Sequence, residues 1–146
     1  MKRLMKRGIL LLLALAVLVV CVGCGDDAET LIQRGVEAEE AEDYEQARQC
    51  YEQAAKKGSS DGTFRLGELY QAGHIEGGFE KAQECFEEAA KKQHPMASFY
   101  IASYYETGLG GTQDDEKALR YYEQAVALGV PNLEGKVAEL QTKLNA

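Results

Sequence analysis

Three stretches of this chain repeat one phrase. Tyr44 to Gly58 reads YEQARQCYEQAAKKG, Phe79 to Gln93 reads FEKAQECFEEAAKKQ, and Asp115 to Gly129 reads DEKALRYYEQAVALG. The copies begin 35 and then 36 residues apart. A fixed period of that size is the mark of a helical repeat array, whose unit is a helix pair unable to bury its apolar face alone. Arrays of this kind mostly bind other proteins and seldom carry out chemistry.

Each copy is amphipathic at helical spacing. In the second, Ala82, Phe86, Ala89 and Ala90 share one stripe, and Glu80, Lys81, Glu84, Glu87 and Lys91 fall mostly elsewhere. Ala47, Tyr51 and Ala54 repeat the stripe in the first copy, and Ala118, Tyr122 and Ala125 in the third. Small residues either side of an aromatic let two helix axes approach while the ring fills the space between them.

A second helical segment precedes each copy: 31–41, 63–72 and 96–107. Gly35, Gly67 and Ala102 stand at equivalent places in these segments. A mid-helix glycine costs up to about 1 kcal/mol in propensity, so it reads as a close-packing point with the paired helix. The turns within pairs differ. Glu42-Asp43 suffices in the first, Gly73 to Gly78 intervenes in the second, and Gly108 to Asp114 in the third, where Asp114 or Asp115 can cap the next helix. Pro95 and Pro131 lie 36 residues apart, both suited to a first helical turn. In the last segment, 132–144, Leu133, Val137, Leu140 and Leu144 form one stripe. It reads as a closing helix that shields the end of the stack. The fold class expected is all-α.

The N-terminus belongs to another class of signal. Lys2, Arg3, Lys6 and Arg7 come first, and Ile9 to Val22 follows with no polar residue except Cys21. That run of 14 residues makes about 21 Å of helix, short of a membrane span and suited to a signal-peptide core. Cys21-Val22-Gly23-Cys24 resembles a bacterial lipobox, with the small Gly23 just before the cysteine and Cys21 where leucine is usual. The resemblance implies cleavage before Cys24 and lipidation of that cysteine. An ordinary secretory signal cut nearby, or an uncleaved short anchor, are the alternatives. The expected organisation is a signal peptide over 1–23, a lipidated cysteine and polar tether over 24–27, and a repeat domain over 28–146. The repeats run over about 28–58, 59–93 and 94–129, with the closing helix over about 131–144.

Removing the first 23 residues leaves 12 basic against 24 acidic residues, a net charge of −12. Such a chain should not bind nucleic acid non-specifically and should be repelled by anionic head groups, so attachment must come from the lipid. Several acyl chains on one cysteine would anchor it stably. Cys50 and Cys85 take the same place in successive repeats, and Tyr121 takes it in the third. Stacked helices lie roughly 8–10 Å apart, beyond the ~7 Å Cα separation a disulfide tolerates. Two free thiols are therefore favoured over a bridge.

The spacing of Leu31, Gly35, Ala38, Ala47, Tyr51 and Ala54 resembles a tetratricopeptide repeat. The later units resemble its relative, the Sel-one-like repeat. Leu66-Gly67-x-x-Tyr70-x-x-Gly73 with Lys81-Ala82 and Phe86 fits that pattern, as does Ala102-x-x-Tyr105-x-x-Gly108-x-Gly110 with Asp114, Lys117-Ala118, Tyr121-Tyr122 and Ala125. Departures are Ala102 for the usual glycine, Gly111 for a usual valine, and Gln93 for the glycine after the second helix. The chain lacks the two cysteines per unit of the secreted cysteine-rich relatives. The resemblance implies a right-handed α-solenoid of three antiparallel helix pairs, in which first helices line a concave groove for a peptide or a partner's helix. Carried over, the groove candidates are Ile32, Val36 and Glu39; Phe64, Glu68 and Gln71; Phe99, Ser103 and Glu106. Phe64 and Phe99 read equally as core between repeats, and the glutamates as a solvated face.

No catalytic constellation stands out. His74 and His94 lie in no metal spacing and read as surface loop residues. No S-x-x-K or G-x-S-x-G occurs, and Gly108 to Gly111 lacks a following Gly-Lys-Ser/Thr. No carboxylate pair separates itself from the helix-surface pattern. The expectation is a lipid-anchored scaffold of the bacterial cell envelope, not an enzyme, with no cofactor or metal and an unknown protein or peptide partner. Gly25 after Cys24 resembles the pattern that does not retain lipoproteins at an inner membrane, so the outer membrane, facing the periplasm, is favoured if the cell has one. The alternatives are a hydrolase of cell-wall or β-lactam substrates, which rests on fold analogy alone, and a structural subunit of an envelope complex.

Overall fold

The computed structural model describes residues 25–146, so the signal-like segment and Cys24 lie outside the described residues. Those residues form seven helices and no strand: α1 (Ala28–Glu40), α2 (Tyr44–Lys56), α3 (Ser60–Gln71), α4 (Gly78–Lys91), α5 (Pro95–Thr107), α6 (Asp115–Ala127) and α7 (Glu134–Leu144). Successive helices run antiparallel and pack in order, so the chain is an all-α solenoid of three helix pairs and a closing helix.

One turn closes both kinds of helix end. Where α1, α3 and α5 end, Asp43 N–H reaches Ala38 O at 2.8 Å, His74 N–H reaches Leu69 O at 3.1 Å, and Leu109 N–H reaches Tyr104 O at 3.2 Å. Where α2, α4 and α6 end, Ser59, His94 and Val130 make the same bond to Ala54, Ala89 and Ala125 at 2.9–3.1 Å. This closure needs a left-handed residue just before the donor. Glycine fills four of the six places, whereas Glu42 (φ 59°) and Gln93 (φ 60°) fill the others. The Gln93 departure is thus absorbed by strain at one residue, not by a different turn.

Side chains then start the next helix. Asp27, Asp43, Ser59, His94 and Asp114 each accept a bond from the backbone N–H three residues on. Val130 has no acceptor to offer at the matching place and Asn132 is left-handed (φ 64°), so α7 begins only at Glu134. Pro95 does open α5, but Pro131 lies in the turn, outside the helix that its position suggested. The expected polar tether is also shorter. Asp27 caps α1 through Thr30 N–H at 2.8 Å, and Asp26 pairs with Arg34.

The copied phrases are the second helices. Ala47, Tyr51, Ala54, Ala82, Phe86, Ala89, Ala118, Tyr122 and Ala125 are all buried, none more than 3% exposed. A Cβ added at Gly35 would stand 2.3 Å from Tyr51 Cε1, and one at Gly67 would stand 2.7 Å from Phe86 Cε1. Those glycines let the ring of the second helix lie directly on the first helix. Cys50 is fully buried and Cys85 half-buried, with no disulfide between them, and the Cys85 thiol is pushed up to about 12 by burial and then by Glu88 and Glu84.

Candidate protein-interaction surface

The first helices α1, α3 and α5 carry the nine candidate groove residues. Eight of these are half-buried: Ile32, Val36, Glu39, Glu68, Gln71, Phe99, Ser103 and Glu106. Phe64 differs. Its ring is 8% exposed and sits among His94 (4.4 Å between centroids), Phe86 and Tyr100 (5.6 Å each), inside the stack and unable to line a groove. Phe99 packs edge-on to Tyr100 and tilted to Tyr122, with part of its ring in solvent.

The polar members are tied to the rings behind them. Tyr51 donates its hydroxyl to Glu39 at 2.5 Å, and Tyr122 donates to Glu106 at 2.8 Å. Phe86 has no hydroxyl in the second repeat, and there Gln71 accepts from Tyr104 at 3.2 Å. Burial first, and then the neighbouring carboxylate, push the Tyr51 and Tyr122 phenols far above their ordinary range. Each hydroxyl therefore stays a donor and fixes its carboxylate.

The stations differ in access. Lys136 of α7 reaches Glu106 at 3.0 Å, so the closing helix already occupies the third station with a cation. Glu39 and Glu68 lie close enough for Glu39 to push the Glu68 carboxyl up, a smaller effect than burial. Arg65 pairs with Glu68 at 3.2 Å. The open end of this face is acidic and flanked by the half-buried apolar Ile32 and Val36. That arrangement suits a short segment bearing both apolar and basic side chains.

Two features went unseen in the sequence. His94 is 9% exposed and not a loop residue: Nδ1 accepts from Ala97 N–H at 3.0 Å and Nε2–H donates to Asp61 at 2.8 Å. It joins the start of α5 to the start of α3. The second feature is a 420 Å³ recess lined by Glu45, Arg48, Tyr70, His74, Ile75 and Glu76. His74 is exposed, as expected, but stacks flat on Tyr44 at 3.8 Å. One period later, Phe79 and Leu109 hold the equivalent places, 42% and 46% exposed. The only signal was positional: Tyr44 and Phe79 both open a copied phrase. Among the described residues, no cluster of histidine, cysteine and acidic side chains could hold a metal ion.

The Sel1 repeat matches residues 60–94 and 95–130, and a tetratricopeptide repeat matches 32–73. The chain belongs to the tetratricopeptide/Sel1-like repeat family. Among solved structures, the chain is similar to a Sel1 repeat protein from Oxalobacter formigenes, with 29% identity, TM-score 0.57, and coverage of 59% of this chain and 36% of that one. A protective antigen present in uropathogenic Escherichia coli strains, displaying an SLR fold, shows 25% identity and TM-score 0.61 over 69% of this chain and 22% of that one. Cysteine-rich protein B of Helicobacter pylori shares the fold at 20% identity and TM-score 0.57, over 75% of this chain and 96% of that one. The chain thus spans about a third and about a fifth of the first two relatives' lengths. A search of the curated proteins finds no match. A repeat scaffold of this family suggests protein–protein interaction.

Proposed function

We propose that this protein is a lipid-anchored helical-repeat scaffold of the bacterial cell envelope, held by acylated Cys24 to the outer membrane and facing the periplasm. It binds a short basic segment or a single helix of a partner protein along the first-helix face, and it is not an enzyme. The observation that carries the binding role is the half-buried face of Ile32, Val36, Glu39 and Glu68, left open where Lys136 closes the other end. The lipobox-like Cys21-Val22-Gly23-Cys24 supports the anchor. Three helix pairs make a short groove, so one helix or a few extended residues fill it.

Affinity purification from crosslinked cells tests the binding role, comparing the native chain with Glu39→Lys/Glu68→Lys. A protein enriched by the native chain and lost with the double variant is the expected result. Equal enrichment by both would remove this face from the account. Cys24→Ala should release the domain into the soluble fraction. Intact mass showing an unmodified Cys24, or a mature start elsewhere, would refute the anchor.

A further inference from the structure

The antiparallel stack has two edges, and their charges differ. The starts of α1, α3 and α5 share one edge with the ends of α2 and α4. Lys57 lies close enough to Asp27 to help lower its carboxyl, a minor effect beside the Thr30 N–H bond. His94 meets Asp61 at 2.8 Å there, and Gln124 Nε2–H meets Ala90 O at 2.6 Å. The opposite edge is marked by the Tyr44–His74 stack and the Lys143–Asp115 pair at 2.5 Å.

Two lysine pairs, Lys56-Lys57 and Lys91-Lys92, lie 35 residues apart on the first edge, at the ends of α2 and α4. With Arg34 they face the acids there, Asp26, Asp27, Glu29, Asp61 and Glu134, and Glu87 and Glu88 one turn in. The opposite edge gathers Glu40, Glu42 and Asp43 at one turn, and Asp114, Asp115 and Glu116 at another. Residues 25–146 hold 12 basic and 24 acidic side chains, so most of the excess negative charge lies away from the lysine edge. Lysines at helix C-termini also answer the helix dipole, but α6 ends in Ala127-Leu128 without them. Only the two second helices nearer the N-terminus carry the pair.

The N-terminus leaves from this same edge. Asp26 is already paired with Arg34 and Asp27 caps α1, so Gly25 alone separates Cys24 from the folded body. At about 3.5 Å per residue, Asp27, the cap of α1, lies within about 10 Å of Cys24, close to a Debye length. An anchored domain on so short a leash cannot tumble freely, and the field of an anionic surface acts on whichever edge it presents.

We propose that the lysine edge is the membrane-facing surface of this domain. Lys56, Lys57, Lys91 and Lys92 meet anionic phospholipid headgroups, while the acidic edge points away. This rests on the lipid-anchor reading above. Lys91 and Lys92 reach back to Glu87 and Glu88 at 3.1 and 2.8 Å, but such exposed pairs are weak and yield to a phosphate. The general repulsion between an acidic chain and an anionic bilayer thereby becomes an orienting force. It also stands the helices on end, so the first-helix face runs up from the membrane with its partner.

Amine acetylation read by mass spectrometry tests this on the full acylated chain. The chain is placed in phosphatidylethanolamine/phosphatidylglycerol vesicles, in phosphatidylcholine vesicles, and in detergent. In the anionic vesicles, Lys56, Lys57, Lys91 and Lys92 should react at least about threefold more slowly than in detergent. Lys81, Lys117 and Lys143 should be unchanged, and the protection should fall in phosphatidylcholine. Uniform reactivity of an acylated chain, or equal protection in both lipids, overturns the orientation and leaves the anchor standing. Intact mass without acyl groups overturns both.

Discussion

Gly67→Ala and Ala102→Gly are opposite changes at equivalent places, and both should destabilise the fold. At Gly67 a new Cβ would lie 2.7 and 2.9 Å from Phe86 Cε1 and Cδ1, and 3.2 Å from Cys85 Cβ. Phe86 is fully buried and ringed by Phe64, Tyr100 and Tyr104, so it has nowhere to go. Overpacking of this kind costs about 1–3 kcal/mol, against a helix-propensity gain of about 1 kcal/mol. The net loss expected is up to about 2 kcal/mol. At Ala102, fully buried, the glycine forfeits about 1 kcal/mol of propensity and a buried methyl worth roughly another 1 kcal/mol. Thermal melts followed by circular dichroism should show both variants lower in Tm, by several degrees per kcal/mol for a domain of this size. Gly35→Ala should behave like Gly67→Ala, because Tyr51 is fully buried and held by Glu39. A rise in Tm for Gly67→Ala would refute the close-packing reading and leave the mid-helix glycines unexplained.

His94→Ala removes the cap of α5 and the bond to Asp61, and should cost about 1–2 kcal/mol in urea unfolding, with His94→Asn recovering the cap alone. Gln93→Gly relieves a left-handed residue and should raise Tm, since the strain of about 1–2 kcal/mol exceeds glycine's extra chain entropy of about 0.4–1 kcal/mol. The Glu68 carboxyl is raised above its ordinary 4.5, so the proton it binds favours the folded state below that pH. That contribution is lost as pH rises through the folded pKa, and Glu68→Gln should raise Tm more at pH 7 than at pH 4. The Cys85 thiol, pushed up to about 12, should resist iodoacetamide in the native protein at pH 7.5 and react once urea unfolds it.

The repeat phrases made the second helices legible because core positions tolerate little variation: small residues at Ala47, Ala82 and Ala118 and rings at Tyr51, Phe86 and Tyr122 are forced by packing. The glycine contacts at Gly35 and Gly67 could be read for the same reason. His94 could not. A histidine before proline looks like a loop residue until the turn geometry points its Nδ1 at Ala97 N–H and its ring at Phe64. Glu42 was equally hidden, since the left-handed place in its turn is set by closure of the backbone and not by residue type, whereas Gln93 stood where the repeat pattern has glycine. Phe64 was ambiguous because the first helices serve two surfaces at once, the neighbouring repeat and the open face. Only the packing of Phe64 against Phe86, His94 and Tyr100 shows which one it meets. The recess beside Tyr44 depends on how the loop at 73–77 folds back, which residue spacing does not encode.

The central claim is that the first-helix face, and not the copied second helices, receives the partner. A photo-crosslinking residue placed at Val36 on α1, and separately at the exposed Gln49 on α2, tests it in living cells. One discrete protein adduct is expected from position 36 and none from position 49. An adduct from position 49 alone, or the same adduct from both, would contradict it.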